Sequence, residues 1–320
     1  MNARWMFNIL SPAGVHARLT VLIFHRVLAE ADPLFPGEVD ATRFETQMRW
    51  IKNWFNVLPL DEAVERLRTS SLPARAASIT FDDGYADNCT VALPILRRVG
   101  LSATFFIATG YLDGGRMWND TVIDVVRQAK GPELDLLPLN LGRYSVSTLD
   151  DRRRSLGELL GKLKYLESEQ RERLVNVIAT IANFKLPDDL MLTTNQVRAL
   201  ADAGMTIGAH TVSHPILSRV SEQDGRTEII QGKQQLEAII GSEVTLFAYP
   251  NGKPGTDYTA IHTRFAREAG FSAAVSTSWG VATKTADIFQ IPRFTPWDRS
   301  GWRYALRLAR NMRYAVSIVR

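Results

Sequence analysis

An α/β chain built on a parallel sheet, open or closed, is the fold class that this sequence predicts. Three observations predict it. Short β-like runs alternate with helical ones along most of the 320 residues. Several helical stretches end on a glycine just ahead of the next strand, at Val99-Gly100, Ala203-Gly204 and Ala269-Gly270. Reactive residues gather just past the strand-like runs: His25, Asp82-Asp83, His210 and Pro250-Asn251. Parallel sheets keep their chemistry at that end of their strands.

In chain order, the expected strands are 19–24, 78–81, 103–108, 206–209, 246–249 and 273–276. The first is the apolar run Leu19-Thr20-Val21-Leu22-Ile23-Phe24, too short for a signal core and better read as a strand. The expected helices between them are 42–54, 60–69, 85–99, 194–203 and 257–269. Residues 113–190 interrupt the alternation. There, 118–129 and 150–184 read as helical, with Asp150-Asp151 and Arg152-Arg153-Arg154 as a helix start on a solvated face. The alternative for this insertion is a cap or lid over the strand ends. The chain has no internal repeat and no low-complexity linker.

At 45% hydrophobic, the chain can bury one large core or two ordinary ones. A single cysteine, Cys89, excludes an internal disulfide framework and a cysteine-rich zinc site. No run of about 18 apolar residues exists, and a cytoplasmic location is the expectation. The net charge of +4 is unevenly placed. Residues 299–320 hold Arg299, Arg303, Arg307, Arg310, Arg313 and Arg320 and no acid, which leaves about −2 for the rest. That is not the profile of a nucleic-acid binder with a broad basic face.

Two stretches carry the chemistry. Thr80-Phe81-Asp82-Asp83-Gly84 offers two adjacent carboxylates at the end of an apolar run. Neighbouring side chains on an extended segment diverge, so one can bind a cation while the other faces substrate. The competing reading is that the aspartates cap a helix beginning at Tyr85. His210-Thr211-Val212-Ser213-His214-Pro215 offers two imidazoles at i, i+4, able to share one ion. Thr211 and Ser213 are candidates to orient them. One carboxylate and two histidines leave metal positions open for water and substrate, as a hydrolytic site requires. Zinc is the default for nitrogen and oxygen ligands, and cobalt, nickel or iron also fit.

On these two motifs the chain resembles the NodB-like polysaccharide deacetylases, carbohydrate esterase family four. Thr80 to Gly84 match the family's T-F-D-D-G, and His210 to Pro215 match its H-[S/T]-x-x-H-P. The resemblance covers about 15–295, with 113–190 the least familiar part. It implies an irregular (β/α) barrel with a helical insertion, Asp82 as catalytic base, and Asp83, His210 and His214 as metal ligands. It also implies hydrolysis of N-acetyl groups on an amino-sugar glycan, polymeric or lipid-linked. The alternatives are a metal amidohydrolase acting on a non-sugar amide and an inactive carbohydrate-binding homologue.

The chain departs from the family pattern in two places. Where many members have an arginine or F-A-Y-P-Y-G, this chain reads Phe247-Ala248-Tyr249-Pro250-Asn251-Gly252. Arg293, in Ile291-Pro292-Arg293-Phe294, is the candidate replacement that keeps the base ionised. The late L-x-H motif, the family's source of the catalytic acid, is absent. His25, in Phe24-His25-Arg26-Val27, is similar to the Y-H-x-V segment of poly-N-acetylglucosamine deacetylases and is the candidate acid. Tyr249, Pro250 and Asn251 are assigned to substrate and oxyanion contact. Tyr249, Trp279, Phe294 and Trp297 are candidate sugar walls, and His262 is expected to be exposed on a helix.

The expected organisation is therefore a barrel over 15–298, carrying the insertion 113–190, and a basic amphipathic helix over 299–320. In the latter, Trp302, Leu306, Ala309, Met312, Val316 and Val319 fall at helical spacing among arginines. Such a helix suits peripheral contact with an anionic membrane face, or packing on the barrel.

Overall fold

The computed structural model describes residues 3–182 and 185–320. The first half of the barrel runs α1 (Ala3–Leu10), β1 (Thr20–Phe24), α2 (Ala41–Trp54), β2 (Asn56–Val57), α3 (Leu60–Arg68), β3 (Ala76–Phe81), α4 (Leu93–Val99) and β4 (Thr104–Ile107). The insertion follows as α5 (Trp118–Gln128), β5 (Glu133–Leu136), β6 (Gly142–Ser145), α6 (Leu149–Lys164) and α7 (Ser168–Ala182). The second half is α8 (Thr194–Asp202), β7 (Thr206–Ala209), α9 (Glu222–Ile240), β8 (Leu246–Ala248), α10 (Ala260–Glu268), β9 (Ala273–Val275) and α11 (Gly301–Asn311).

The main sheet is parallel throughout, in the order β1-β3-β4-β7-β8-β9, with β2 beside the first residues of β3. All six residues of β3 are buried, as a strand covered on both faces requires. Phe24, Phe81 and Phe105 stand in register on β1, β3 and β4, and Phe81 stacks on both neighbours at 5.5 and 4.8 Å. This aromatic layer lies directly under His25 and Asp82, the next residues along two of those strands.

Among the described residues no strand joins β9 to β1. The irregular segment 288–295 fills the gap, pairing Ile291 with Val275 and donating Phe294 N–H to the Val21 carbonyl at 2.9 Å. Pro292 lacks an N–H and cannot sustain a regular ladder there. The curled sheet thus forms an irregular barrel, as the resemblance implied, and this closing segment carries Arg293.

Four expectations need correction. The helix foreseen over 85–99 begins late. Tyr85 forms an isolated β-bridge with Met191, residues Asn88–Ala92 form a wide π-type turn, and α4 follows with Pro94 in its first turn, where a missing N–H is tolerated. The insertion is not wholly helical. The β5–β6 hairpin lies between α5 and α6, its turn made by Asn140 and Gly142 at φ of 56° and 99°. The helix foreseen over 150–184 breaks after Lys164 into α6 and α7, and Asn183 and Phe184 lie outside the described residues. The insertion has its own core, including Val122, Leu136, Leu159 and Ile178.

The fourth correction concerns the C-terminal segment. α11 ends at Asn311, so Met312, Val316 and Val319 do not continue its helical face. The chain instead returns along the barrel, where Val319 N–H donates to Gln290 Oε1 at 2.7 Å and Ser278 Oγ donates to the Ser317 carbonyl at 2.7 Å. Tyr304 and Leu308 of α11 and Phe7 of α1 are fully buried in the main core. The core therefore extends past both ends of 15–298, and 299–320 is not a separate unit.

Candidate active site

The site forms where β1, β3, β7 and β8 end. β3 runs out at Phe81, and the next two residues turn in opposite senses. Asp82 keeps sheet contact through its N–H to the Phe24 carbonyl at 2.9 Å. Asp83 adopts φ of 77°, and Gly84 follows at 87°. Thr211, His214 and Asn251 also hold left-handed backbone, at φ of 67°, 53° and 59°. Such conformations are unfavourable for residues with a Cβ and collect at functional sites. No helix begins at Tyr85, so the aspartates do not cap one.

Asp83 meets both histidines. Its Oδ1 lies 3.4 Å from His210 Nε2 and 3.3 Å from His214 Nε2. All three ligand atoms fall within 4.8 Å of one another. A tetrahedral ion with bonds of about 2.0–2.1 Å has ligand edges of about 3.3 Å, so the set fits a zinc-sized cation. The tautomer fits as well. His210 Nδ1 lies 2.7 Å from the Ala248 carbonyl, which can only accept, so Nδ1 carries a proton and Nε2 is the nitrogen left to ligate an ion shared with Asp83. Burial pushes the His214 imidazole down to about 4, which keeps it in the neutral ligating form. For His210, burial also lowers the pKa, but the Asp83 and Asp82 carboxylates outweigh it and raise the value. For Asp83, burial raises the pKa, and the two histidines reverse this and hold it far below the carboxylate range.

The turn that presents His214 is pinned by groups the sequence reading missed or assigned differently. Glu228 on α9 accepts from Val212 N–H and Ser213 N–H, each at 2.8 Å, and from Ser213 Oγ at 2.7 Å. Thr211 Oγ1 donates to the His210 carbonyl and accepts from His214 N–H at 3.1 Å. The Thr211 hydroxyl therefore holds backbone and the Ser213 hydroxyl holds Glu228, and neither orients an imidazole. Glu228 carries no sequence signal of its own, since it sits among other charged residues in the first turns of α9.

Asp82 shares the cavity with the ligand cluster but forms its own bidentate pair with Arg293. The two Arg293 Nη atoms donate to Asp82 Oδ1 and Oδ2 at 2.6 Å each. Arg293 also donates to Thr80 Oγ1 at 3.1 Å and from Nε to the Ser276 carbonyl at 3.0 Å. Its side chain is 0% exposed and that of Asp82 3%, so the pair is fully desolvated. Burial pushes the Asp82 carboxyl up, but Arg293 first and His210 next pull it below the ordinary carboxylate value.

His25, Asp82, Asp83, His210, His214 and Asn251 line one cavity of about 340 Å³. Arg293 lies behind Asp82, outside its lining. The insertion supplies the facing wall through Met117, Trp118, Asn119, Leu160, Lys164 and Arg171. None of these was legible as a site residue in the sequence. Buried Asp120, whose carboxylate accepts from Tyr85 Oη at 3.2 Å, was also missed. Burial, with the nearby charge of Asp83, pushes its carboxyl up to about 6.

The remaining expectations divide. Tyr249 is fully buried, stacked on Tyr258 at 3.9 Å, and donates to the Phe289 carbonyl, so its side chain cannot reach substrate. Pro250 is buried and lies outside the cavity lining. Phe294 is a core residue, while Trp279 and Trp297 above it are about half exposed. His262 is buried rather than exposed, because its Nδ1 accepts from Thr259 N–H in a capping box at the start of α10.

Known proteins share this fold. At 21% identity over 279 residues, the chain is similar to YxkH of Bacillus subtilis (strain 168), named for a polysaccharide deacetylase; the match covers 87% of this chain and 71% of that one. In structure it is similar to the deacetylase PplD of Streptococcus pyogenes, solved with acetate, with a TM-score of 0.59, 18% identity, and 93% and 99% of the two chains covered. It is equally similar to IcaB from Ammonifex degensii, with a TM-score of 0.59, 17% identity, and coverage of 93% and 98%. The family model described as polysaccharide deacetylase matches residues 69–134 and 162–274, which include both aspartates and both histidines. With that match over more than half its length, the chain belongs to the polysaccharide deacetylases, a family of hydrolases.

Proposed function

We propose that this deacetylase removes N-acetyl groups from an amino-sugar glycan of the N-acetylglucosamine type, with one divalent ion, zinc by ligand preference, held by Asp83, His210 and His214. The observation that carries the reading is the division of labour between two adjacent carboxylates. Asp83 faces two imidazoles, while Asp82 is paired with Arg293. A divalent ion held by Asp83, His210 and His214 would supply polarisation of the amide carbonyl and acidify a water. Each Asp82 oxygen gives one lone pair to Arg293 and keeps another to take the proton from that water. Arg293 holds Asp82 ionised at neutral pH. His25, exposed on the cavity wall, is placed to give a proton to the departing amine. A backbone N–H near Asn251 is the proposed oxyanion donor.

The test is acetate release from N-acetylglucosamine oligomers. Wild type should be active and should stop with chelator. Asp82→Asn should lose activity, and His25→Ala should lose roughly 10²- to 10⁴-fold with metal content unchanged. Full activity in Asp82→Asn would sink the mechanism, and release from small non-sugar amides alone would reassign the substrate.

Peripheral contact with an anionic membrane surface is proposed on a separate observation. Trp5 and Ile9 of α1 and Trp302 and Leu306 of α11 are between 44% and 60% exposed, and Arg303, Arg310 and Arg313 are exposed on or just past α11. Salt-sensitive flotation with anionic liposomes should be lost in Trp302→Ser/Leu306→Ser. No flotation by the full chain would end the idea.

A further inference from the structure

The cavity holds cations that make no ion pair among the described residues. Arg171 is 8% exposed, lies 5.0 Å over the Trp118 ring and donates Nη1 to the Lys164 carbonyl at 3.2 Å. Its Nε is buried without a hydrogen-bond partner. Lys164 lines the cavity from the end of α6. Among the described residues no carboxylate lies within ion-pair distance of Arg171 or Lys164. The two site carboxylates are more than balanced by Arg293, Lys164 and Arg171 before any divalent ion is counted.

The neighbouring depression on the His25 side is different. Its cations are matched, with Arg26 on Asp87, Arg127 on Asp32, and Asp124 held by Arg116. On the other side the cavity continues past Lys164, Asn251 and Thr277 into a groove with Lys253 and Trp279. Lys253 also has no carboxylate within ion-pair distance among the described residues. A buried, under-bonded guanidinium is unfavourable unless an acceptor arrives, and a carboxylate or phosphate is its natural acceptor.

We propose, resting on the deacetylase reading, that the substrate is an anionic amino-sugar glycan whose phosphate or carboxylate seats between Lys164 and Arg171. The N-acetyl group then faces Asp82 and Asp83. The glycan continues over Thr277 toward Lys253, with Trp279 as the exposed sugar platform. The insertion is thereby a specificity element: the barrel supplies the reacting groups and α6 and α7 supply the anion site.

The test compares acetate release by the metal-loaded full chain from three disaccharides: neutral di-N-acetylchitobiose, its 1-phosphate, and N-acetylglucosamine joined to glucuronate. At least one anionic substrate should exceed the neutral one in kcat/KM by roughly tenfold or more, through KM. Added salt should erode the gain. Lys164→Gln, at a half-buried site where folding is not at risk, should bring the ratio close to one. The phosphate and glucuronate arms separate the two sources of charge. A wild-type ratio near one, or a ratio that Lys164→Gln leaves unchanged, overturns the proposal. If no disaccharide releases acetate, the deacetylase reading fails on its own. The anion site is then judged by calorimetry with N-acetylglucosamine 1-phosphate against N-acetylglucosamine. Tighter binding of the phosphate that Lys164→Gln abolishes supports it, and equal affinity overturns it.

Discussion

Replacing Arg293 by methionine removes the cation paired with Asp82. Both side chains are essentially unexposed and joined by two 2.6 Å hydrogen bonds. Breaking a buried pair from one side leaves an uncompensated charge and costs about 3–5 kcal/mol. Domain stabilities are about 5–15 kcal/mol, so the variant should fold but melt early. Asp82→Asn strands the guanidinium and should cost a similar amount. The double variant strands neither charge, so its loss should fall short of the sum by about 2–3 kcal/mol. Urea unfolding at fixed metal concentration measures all four corners of the cycle. The pH dependence gives a second readout. In wild type the Asp82 carboxyl is depressed, so the pair's contribution is present above the unfolded pKa and is lost as pH falls through the lower folded value. In Arg293→Met the buried, unpaired carboxyl lies above its unfolded value, so that variant should gain stability on acidification. A loss below about 1 kcal/mol in Arg293→Met, or strict additivity in the double variant, would refute the reasoning.

Three further outcomes are expected. Equilibrium dialysis should find one divalent ion per chain, lost in His214→Ala, and saturation at about 100 times Kd should stabilise the fold by about 2.7 kcal/mol; equal metal content in the variant would remove His214 from the ligand set. Asp120→Asn should stabilise the protein at pH 8 by on the order of 1–3 kcal/mol, because the folded pKa of about 6 lies above the unfolded value. That gain should shrink as pH falls through the window and vanish near pH 4, as melting curves at the two ends will show. Gly232→Ala would bring a Cβ within 2.9 Å of the Thr211 backbone, where α9 packs on the histidine turn. A loss of about 1–3 kcal/mol together with weaker metal binding is expected, and unchanged titration and melting would show that α9 does not position the turn.

The regular part of the fold was legible because its periodicity is local. β7 was placed residue for residue at Thr206–Ala209, and α2, α3 and α8 within one residue at either end, since apolar runs and glycine stops mark them. The β5–β6 hairpin was not legible, because its short, half-exposed strands carry charge and lack the apolar run that marks β7. The break after Lys164 was hidden for a related reason: the charge-rich sequence suits a helix on both sides of it. Met312 to Val319 misled in the opposite direction, offering helical spacing where the chain actually runs extended along Ser278 and Gln290.

For the site, the sequence by itself determined which groups exist and which are neighbours along the chain. Asp82 beside Asp83, and His210 four residues before His214, stand on the page before any folding. Tertiary structure alone decided how they are used. The left-handed turn at Asp83 aims one carboxylate at the histidines. The barrel's irregular closure brings Arg293, 211 residues away, onto the other. The insertion brings Arg171 and Lys164 to the same cavity. Sequence periodicity reports contacts a few residues apart, whereas charge compensation in a buried site is a property of through-space distance, which only the folded barrel sets.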